Sequence, residues 1–179
     1  MKRLFATLLA SLGLGGPAIA SDAPTQPDAI TQDLRMMALT LTPDAIGISQ
    51  KSFPHEVWGI LMETGMERGS YTLVALADGT TSLYFSTGGG IIGAGEHAPV
   101  RQTSGQFIDL ANDAIASAIA TDSYPPPNAG QTVFYFLTFH GVKTYAAKEV
   151  DLGEMRDKLS NLFHAGHGVI AAVRQTKGN

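Results

Sequence analysis

Two β-rich runs, Tyr71–Leu76 and Thr81–Phe85, are joined by a short segment containing Asp78-Gly79. Asp-Gly favours the positive φ angles of a tight turn, so the spacing predicts a hairpin. A hairpin is antiparallel by construction. Parallel strands need long helical crossovers instead, so this local signal argues against a doubly wound parallel sheet.

The rest of the chain is read around that hairpin. Asp28–Leu41 places Ile30, Leu34, Met37 and Leu41 on one helical face, and Thr42-Pro43-Asp44 ends the pattern. Val57–Met62 is a short apolar run, expected as a strand with Trp58, Ile60 and Met62 on one side. Glu67-Arg68-Gly69-Ser70 reads as a turn. Pro99–Ile119 reads as a long helix with Phe107, Ile108, Ala111, Ile115, Ala118 and Ile119 facing inward. Tyr124–Gly130, with its three prolines, reads as a rigid exposed loop.

Thr132–Phe139 and Lys143–Glu149 are expected as strands about a His140-Gly141 turn. Asp151, with Glu154 three residues on, has the spacing of a capping box. The helix it would open carries Leu152, Met155, Leu159, Leu162 and Phe163, with Gly166 and Gly168 as its stop and Val169–Val173 as one more strand. The fold class expected is α+β: a single antiparallel sheet of five to six strands, with helices packed mainly on one face.

Met1–Ala20 has a basic start, an apolar run from Leu4 to Leu14, a Gly-Gly-Pro breaker and Ala18-Ile19-Ala20 before Ser21. That order is the pattern of a secretory signal peptide cleaved near Ala20-Ser21. The expected organisation is a signal peptide over 1–20, a leader and helix over 21–50, and an α+β domain over 51–179. The expected destination is the periplasm or the medium, with no membrane anchor after cleavage. Removing 20 of 179 residues, Lys2 and Arg3 among them, would leave 159 and shift the net charge from −4 to −6. Such a charge gives no footprint for nucleic acid. With no cysteine, disulfides, thiolate metal sites and a thiol nucleophile are excluded.

The chemistry-bearing segment is Ser86-Thr87-Gly88-Gly89-Gly90 through Glu96-His97. Gly88, Gly90 and Gly93 match G-x-G-x-x-G, but the strand before them belongs to a hairpin. The acidic residues Asp109 and Asp113 fall inside a predicted helix rather than at the end of a second strand. Dinucleotide binding is therefore not expected. The glycines serve either a close structural approach or an anion-accepting loop helped by the Ser86 and Thr87 hydroxyls. Glu96 and His97 are candidates for acid–base work, and Glu96, near a helix start, is equally a simple helix-dipole partner. His164 and His167, three apart near an expected helix end, lack a third metal ligand in sequence. No catalytic residue, metal ligand or cofactor site is assigned.

The strand–hairpin–helix–hairpin–helix order from Val57 to Phe163 resembles the roadblock, longin and profilin group of small domains. The resemblance implies scaffolding and dimerisation through helix or sheet edges rather than catalysis, and it transfers no functional residue. The expectation is an exported, non-enzymatic interaction domain with a protein partner, a homodimer being one option. Its contacts would run through Ser86, Thr87, Gly88, Gly89, Gly90, Glu96 and His97. Two alternatives stand beside it: a small hydrolase using Glu96 or His97 near the glycine amides, and an inhibitor or immunity-type protein.

Overall fold

A computed structural model describes residues 29–176 of the chain. The signal peptide and most of the leader expected from the sequence lie outside the described residues. The architecture is α+β, with one open antiparallel sheet of seven strands. The strands are β1 (Val57–Gly65), β2 (Ser70–Leu76), β3 (Thr81–Phe85), β4 (Gly90–Ile91), β5 (Ile119–Thr121), β6 (Gln131–Thr138) and β7 (Gly141–Lys148). Their spatial order is β4-β3-β2-β1-β6-β7-β5. The helices are α1 (Ala29–Leu39), α2 (Ala98–Ala114), α3 (Glu149–Gly153) and α4 (Ser160–Gln175).

The Asp78-Gly79 hairpin forms as its residues demand. Gly79 takes φ +88°, and Asp78 Oδ1 accepts the Thr80 N–H at 2.9 Å. The sheet is wider than five to six strands because both rims carry short additions. At one rim β4 pairs with Leu83 and Tyr84 of β3. At the other, the helix expected to run to Ile119 ends early. A 3-10 turn at Ile115–Ser117 closes α2, Ala118 turns extended, and Ile119–Thr121 pairs with Val142–Thr144 of β7. Ile119, expected to face inward, is exposed.

The sheet buries both faces. On one face α2 and α4 cover Val57, Ile60, Met62, Leu73, Phe134 and Phe136. On the other, α1 contributes Leu34, Ala38 and Leu39 to a second core with Trp58, Leu61, Val74, Leu76, Tyr84 and Tyr135. Trp58 therefore does not share a side with Ile60 and Met62. The pairing of β1 with β6 slips between Val57 and Gly59, and a bulge there inverts the alternation by one residue.

The C-terminal expectations need three further corrections. Asp151 lies inside α3, where its carboxylate pairs with Arg156. Asp157 takes the turn into α4, its Oδ1 accepting the Leu159 N–H at 2.8 Å. Gly166 and Gly168 do not stop that helix. Gly166 is where α4 presses on the sheet: a Cβ there would sit 2.6 Å from Met62 Sδ and 3.2 Å from Phe107. Val169–Val173 is consequently helix, with Val169, Ile170 and Val173 in the core.

Candidate functional site

The glycine-rich segment lines the β3 rim of the sheet. Ser86 ends β3. Its N–H donates to Ser70 O at 2.9 Å, and its Oγ accepts the Ser70 N–H at 2.8 Å. Thr87 is exposed. Gly88 and Gly89 reverse the chain at φ +101° and +81°. Phe85 then donates its N–H to Gly89 O at 3.0 Å, which sets the phase of the ladder.

Antiparallel pairs alternate between hydrogen-bonded and narrow, non-bonded pairs. Phe85–Gly89 is bonded, so Tyr84–Gly90 is the narrow pair. A Cβ on Gly90 would lie 2.5 Å from Leu83 O and 2.7 Å from Tyr84 Cβ, which is why glycine stands there. By the same alternation the N–H and C=O of Gly90 point away from β3 and out of the sheet, and the next residue in that phase is Ile92.

Beyond Ile92, a 3-10 turn at Ala94–Glu96 leads into α2. Gly95 packs directly on the Gly79 carbonyl of the hairpin turn, leaving no room for a side chain. Arg101 Nη1 donates to Gly95 O at 2.7 Å and fixes this corner. Glu96 and His97 are exposed, and His97 occupies the N-cap position of α2 without a capping hydrogen bond from its side chain. The segment thus runs the length of β3. Ser86 sits at the Ser70 end, and Glu96 and His97 sit at the Gly79 end, roughly 15 Å of strand away. Ser86 and the two titratable residues do not share one site.

Under α1 lies a polar cluster that the sequence reading missed. Glu63, on central strand β1, has a side chain only 1% exposed. Arg35 of α1 grips it with two hydrogen bonds, Nε to Oε1 and Nη2 to Oε2, both 2.7 Å. Thr72 Oγ1 donates to Oε1 at 3.0 Å. Burial alone would lower the Arg35 pKa, but the hydrogen bonds and charge of Glu63 outweigh it and raise the guanidinium further. Tyr135 donates its hydroxyl to Pro125 O at 2.9 Å and lies under the Arg35 guanidinium. Burial pushes the Tyr84 and Tyr135 hydroxyls up, and the Glu63 charge adds to both. Among the described residues, Tyr84 Oη and Trp58 Nε1 are the buried side-chain polar atoms with no hydrogen-bond partner, and both belong to this face. The signal in the sequence was a carboxylate directly after an apolar run, at Val57–Met62-Glu63, with an arginine beside Leu34.

The opposite face holds a shorter relay. Thr64 Oγ1 and Thr132 Oγ1 are 2.8 Å apart and fully buried. Tyr71 Oη and His167 Nε2 are 3.2 Å apart. Burial, then the charges of His164 and Arg174, lower the His167 pKa. His164 is exposed on α4 and edges onto Phe163. No group of three His, Asp or Glu side chains among the described residues is placed to hold a metal. A cavity of about 410 Å³ opens between α2 and α4, lined by Thr103, Gln106, Asp109, Leu110, Ala165 and Gly168. No helix among the described residues is long and apolar enough to cross a membrane.

Comparison with known proteins finds no matching family model, no matching curated protein and no matching solved structure.

Proposed function

We propose that the chain is an exported, non-enzymatic interaction domain that takes an extended segment of a protein partner onto the β4 rim. Export rests on the order of features in Met1–Ala20. The single observation carrying the binding reading is the phase of β4. Gly90 is exposed and turns its N–H and C=O outward, so it can pair with an added strand.

Sheet edges are usually blunted by lysine, proline or a covering element. Gly89–Gly93 carries no charge and no proline. The other rim is protected differently: β5 is followed by Asp122 and three prolines, and β7 carries exposed Lys148. In this reading Gly88, Gly89 and Gly90 shape the edge, Ser86 and Thr87 frame one end, and Glu96 and His97 frame the other. An inhibitor or immunity-type role is one form the interaction would take.

The test is capture of a partner from periplasmic extract by the wild type and by Ile92→Pro. Proline at an outward-facing edge position removes a donor to an added strand without removing a bond to β3. A partner held by the wild type and lost by an equally stable Ile92→Pro supports the reading. A partner held equally by both moves the interface elsewhere.

A further inference from the structure

We propose that α1 is a displaceable occupant of a helix-binding face, and that the face takes an amphipathic partner helix carrying an arginine. The proposal does not use the outward backbone of β4, although Ile92 lines the cavity beside Tyr84. It starts from an asymmetry in the site's own chemistry. The sheet under α1 offers one buried carboxylate, Glu63, and two buried donors, Tyr84 Oη and Trp58 Nε1. The resident helix meets the first. Its residues buried here besides Thr31 are Leu34, Ala38 and Leu39, which offer the two donors no side-chain acceptor.

Charge complementarity names the occupant. A buried carboxylate held in a two-bond fork is matched by a guanidinium, whereas a lysine ammonium lacks the planar fork. The unused donors say that the fit can be improved. A buried polar group left unmatched costs free energy that a partner's acceptor would recover. The small cavity beside Tyr84 also touches Leu34 and Ala38 and has a volume of about 10 Å³, room for one oxygen atom. A residue at the Ala38 position with a hydroxyl would fill it.

The attachment of α1 permits exchange. Seventeen residues, 40 to 56, connect it to β1, and most of them are exposed. The helix adds no strand to the sheet, and Arg35 bonds it to Glu63 and to Pro125 O.

The experiment uses the full chain and a synthetic peptide with the sequence of residues 29–41. Trp58 is the only tryptophan and lies on this face, so acrylamide quenching of its fluorescence reports occupancy. Arg35→Ala in the chain should expose Trp58 to quencher. The peptide should restore protection and bind that variant at least tenfold tighter than wild type, whose own α1 competes. Adding Glu63→Gln should weaken peptide binding at least tenfold. A peptide with Ala38→Ser should bind about threefold tighter than the native sequence, and Tyr84→Phe in the chain should cancel that gain.

Equal peptide binding to wild type and Arg35→Ala overturns the proposal, as does a folded Arg35→Ala chain whose Trp58 stays protected. A concentration-dependent dimer with exchanged α1 helices overturns the choice of occupant and assigns the face to a second copy. Should Arg35→Ala not fold, hydrogen exchange of the wild type decides. Amides of α1 exchanging at least tenfold faster than those of β6, together with quenching of Trp58, support exchange. Equal rates make α1 an inseparable part of the core and overturn it.

Discussion

Replacing Arg35 with methionine should destabilise the protein far more than replacing Arg35 and Glu63 together. The single change keeps the hydrophobic stem of residue 35 and removes its charge. Glu63, 1% exposed in its side chain, then retains only Thr72 as a donor. Leaving one partner of a buried pair uncompensated costs about 3–5 kcal/mol. The domain has one relief route: α1 lifts and lets water reach the carboxylate. That route gives up the burial of Leu34 and Leu39, each worth about 1.5–3 kcal/mol against exposure, and it regains the chain entropy of the helix. The observed loss is the smaller of the two costs, so about 3 kcal/mol is expected.

The double variant Arg35→Met, Glu63→Leu buries no charge. Such replacements are often neutral, and some stabilise by about 1–4 kcal/mol. The coupling between the two sites should therefore reach at least about 2 kcal/mol. The assay is urea unfolding of wild type, both single variants and the double. With a slope near 2 kcal/mol per molar, a 3 kcal/mol loss moves the midpoint by about 1.5 M. Single variants that each lose less than about 1 kcal/mol, with a strictly additive double, would refute the view that this pair is a buried, tightly coupled unit.

Three further outcomes follow from the geometry. Thr64→Val should cost about 1–3 kcal/mol by stranding the Thr132 hydroxyl, while Thr64→Val with Thr132→Val should come back close to wild type in the same urea assay. The His167 imidazole is held below its ordinary value by burial, so the unfolded chain binds more protons near and below pH 6.5. Stability should fall as pH drops through that range, and His167→Gln should flatten the slope in thermal melts between pH 5 and 7. Gly95→Ala should destabilise by more than Gly89→Ala. The former drives a methyl into the Gly79 carbonyl, whereas the latter meets open space and pays only for its positive φ, about 1–2 kcal/mol; calorimetric melting temperatures rank them.

Local signals in the sequence were sound where one residue type dictates one conformation. Asp78-Gly79 made its turn, His140-Gly141 made its turn, and the apolar runs at Val57, Tyr71, Thr81 and Thr132 became strands. Failures arose where tertiary packing overrides a local rule. Gly166 is a helix breaker by propensity, yet α4 continues through it because only a glycine lets the helix sit against Met62 and Phe107. Trp58 left its expected side because a bulge, set by pairing with β6, changes the phase of β1. The glycine-rich segment was visible as an oddity, but the distance separating Ser86 from His97 is a property of β3's length and of where α2 starts. Glu63 and Arg35 are 28 residues apart in sequence, and no spacing rule joins them.

The two faces of the sheet then differ in a way that bears on function. Beneath α2 and α4 the polar side chains are paired among themselves: Thr64 with Thr132, Thr81 with Ser104, Tyr71 with His167. Beneath α1 the central charge is matched by a group from a tethered helix, and two donors are left over. A core selected only for stability has no use for such groups, because apolar residues of similar shape would pack without the desolvation cost. Buried polarity of this kind adds discrimination: an incoming helix without a guanidinium would bury Glu63 unpaired and be rejected by several kcal/mol. In the proposed exchange, the α2–α4 face is the structural half of the molecule, and the α1 face is the half whose chemistry would select what covers it.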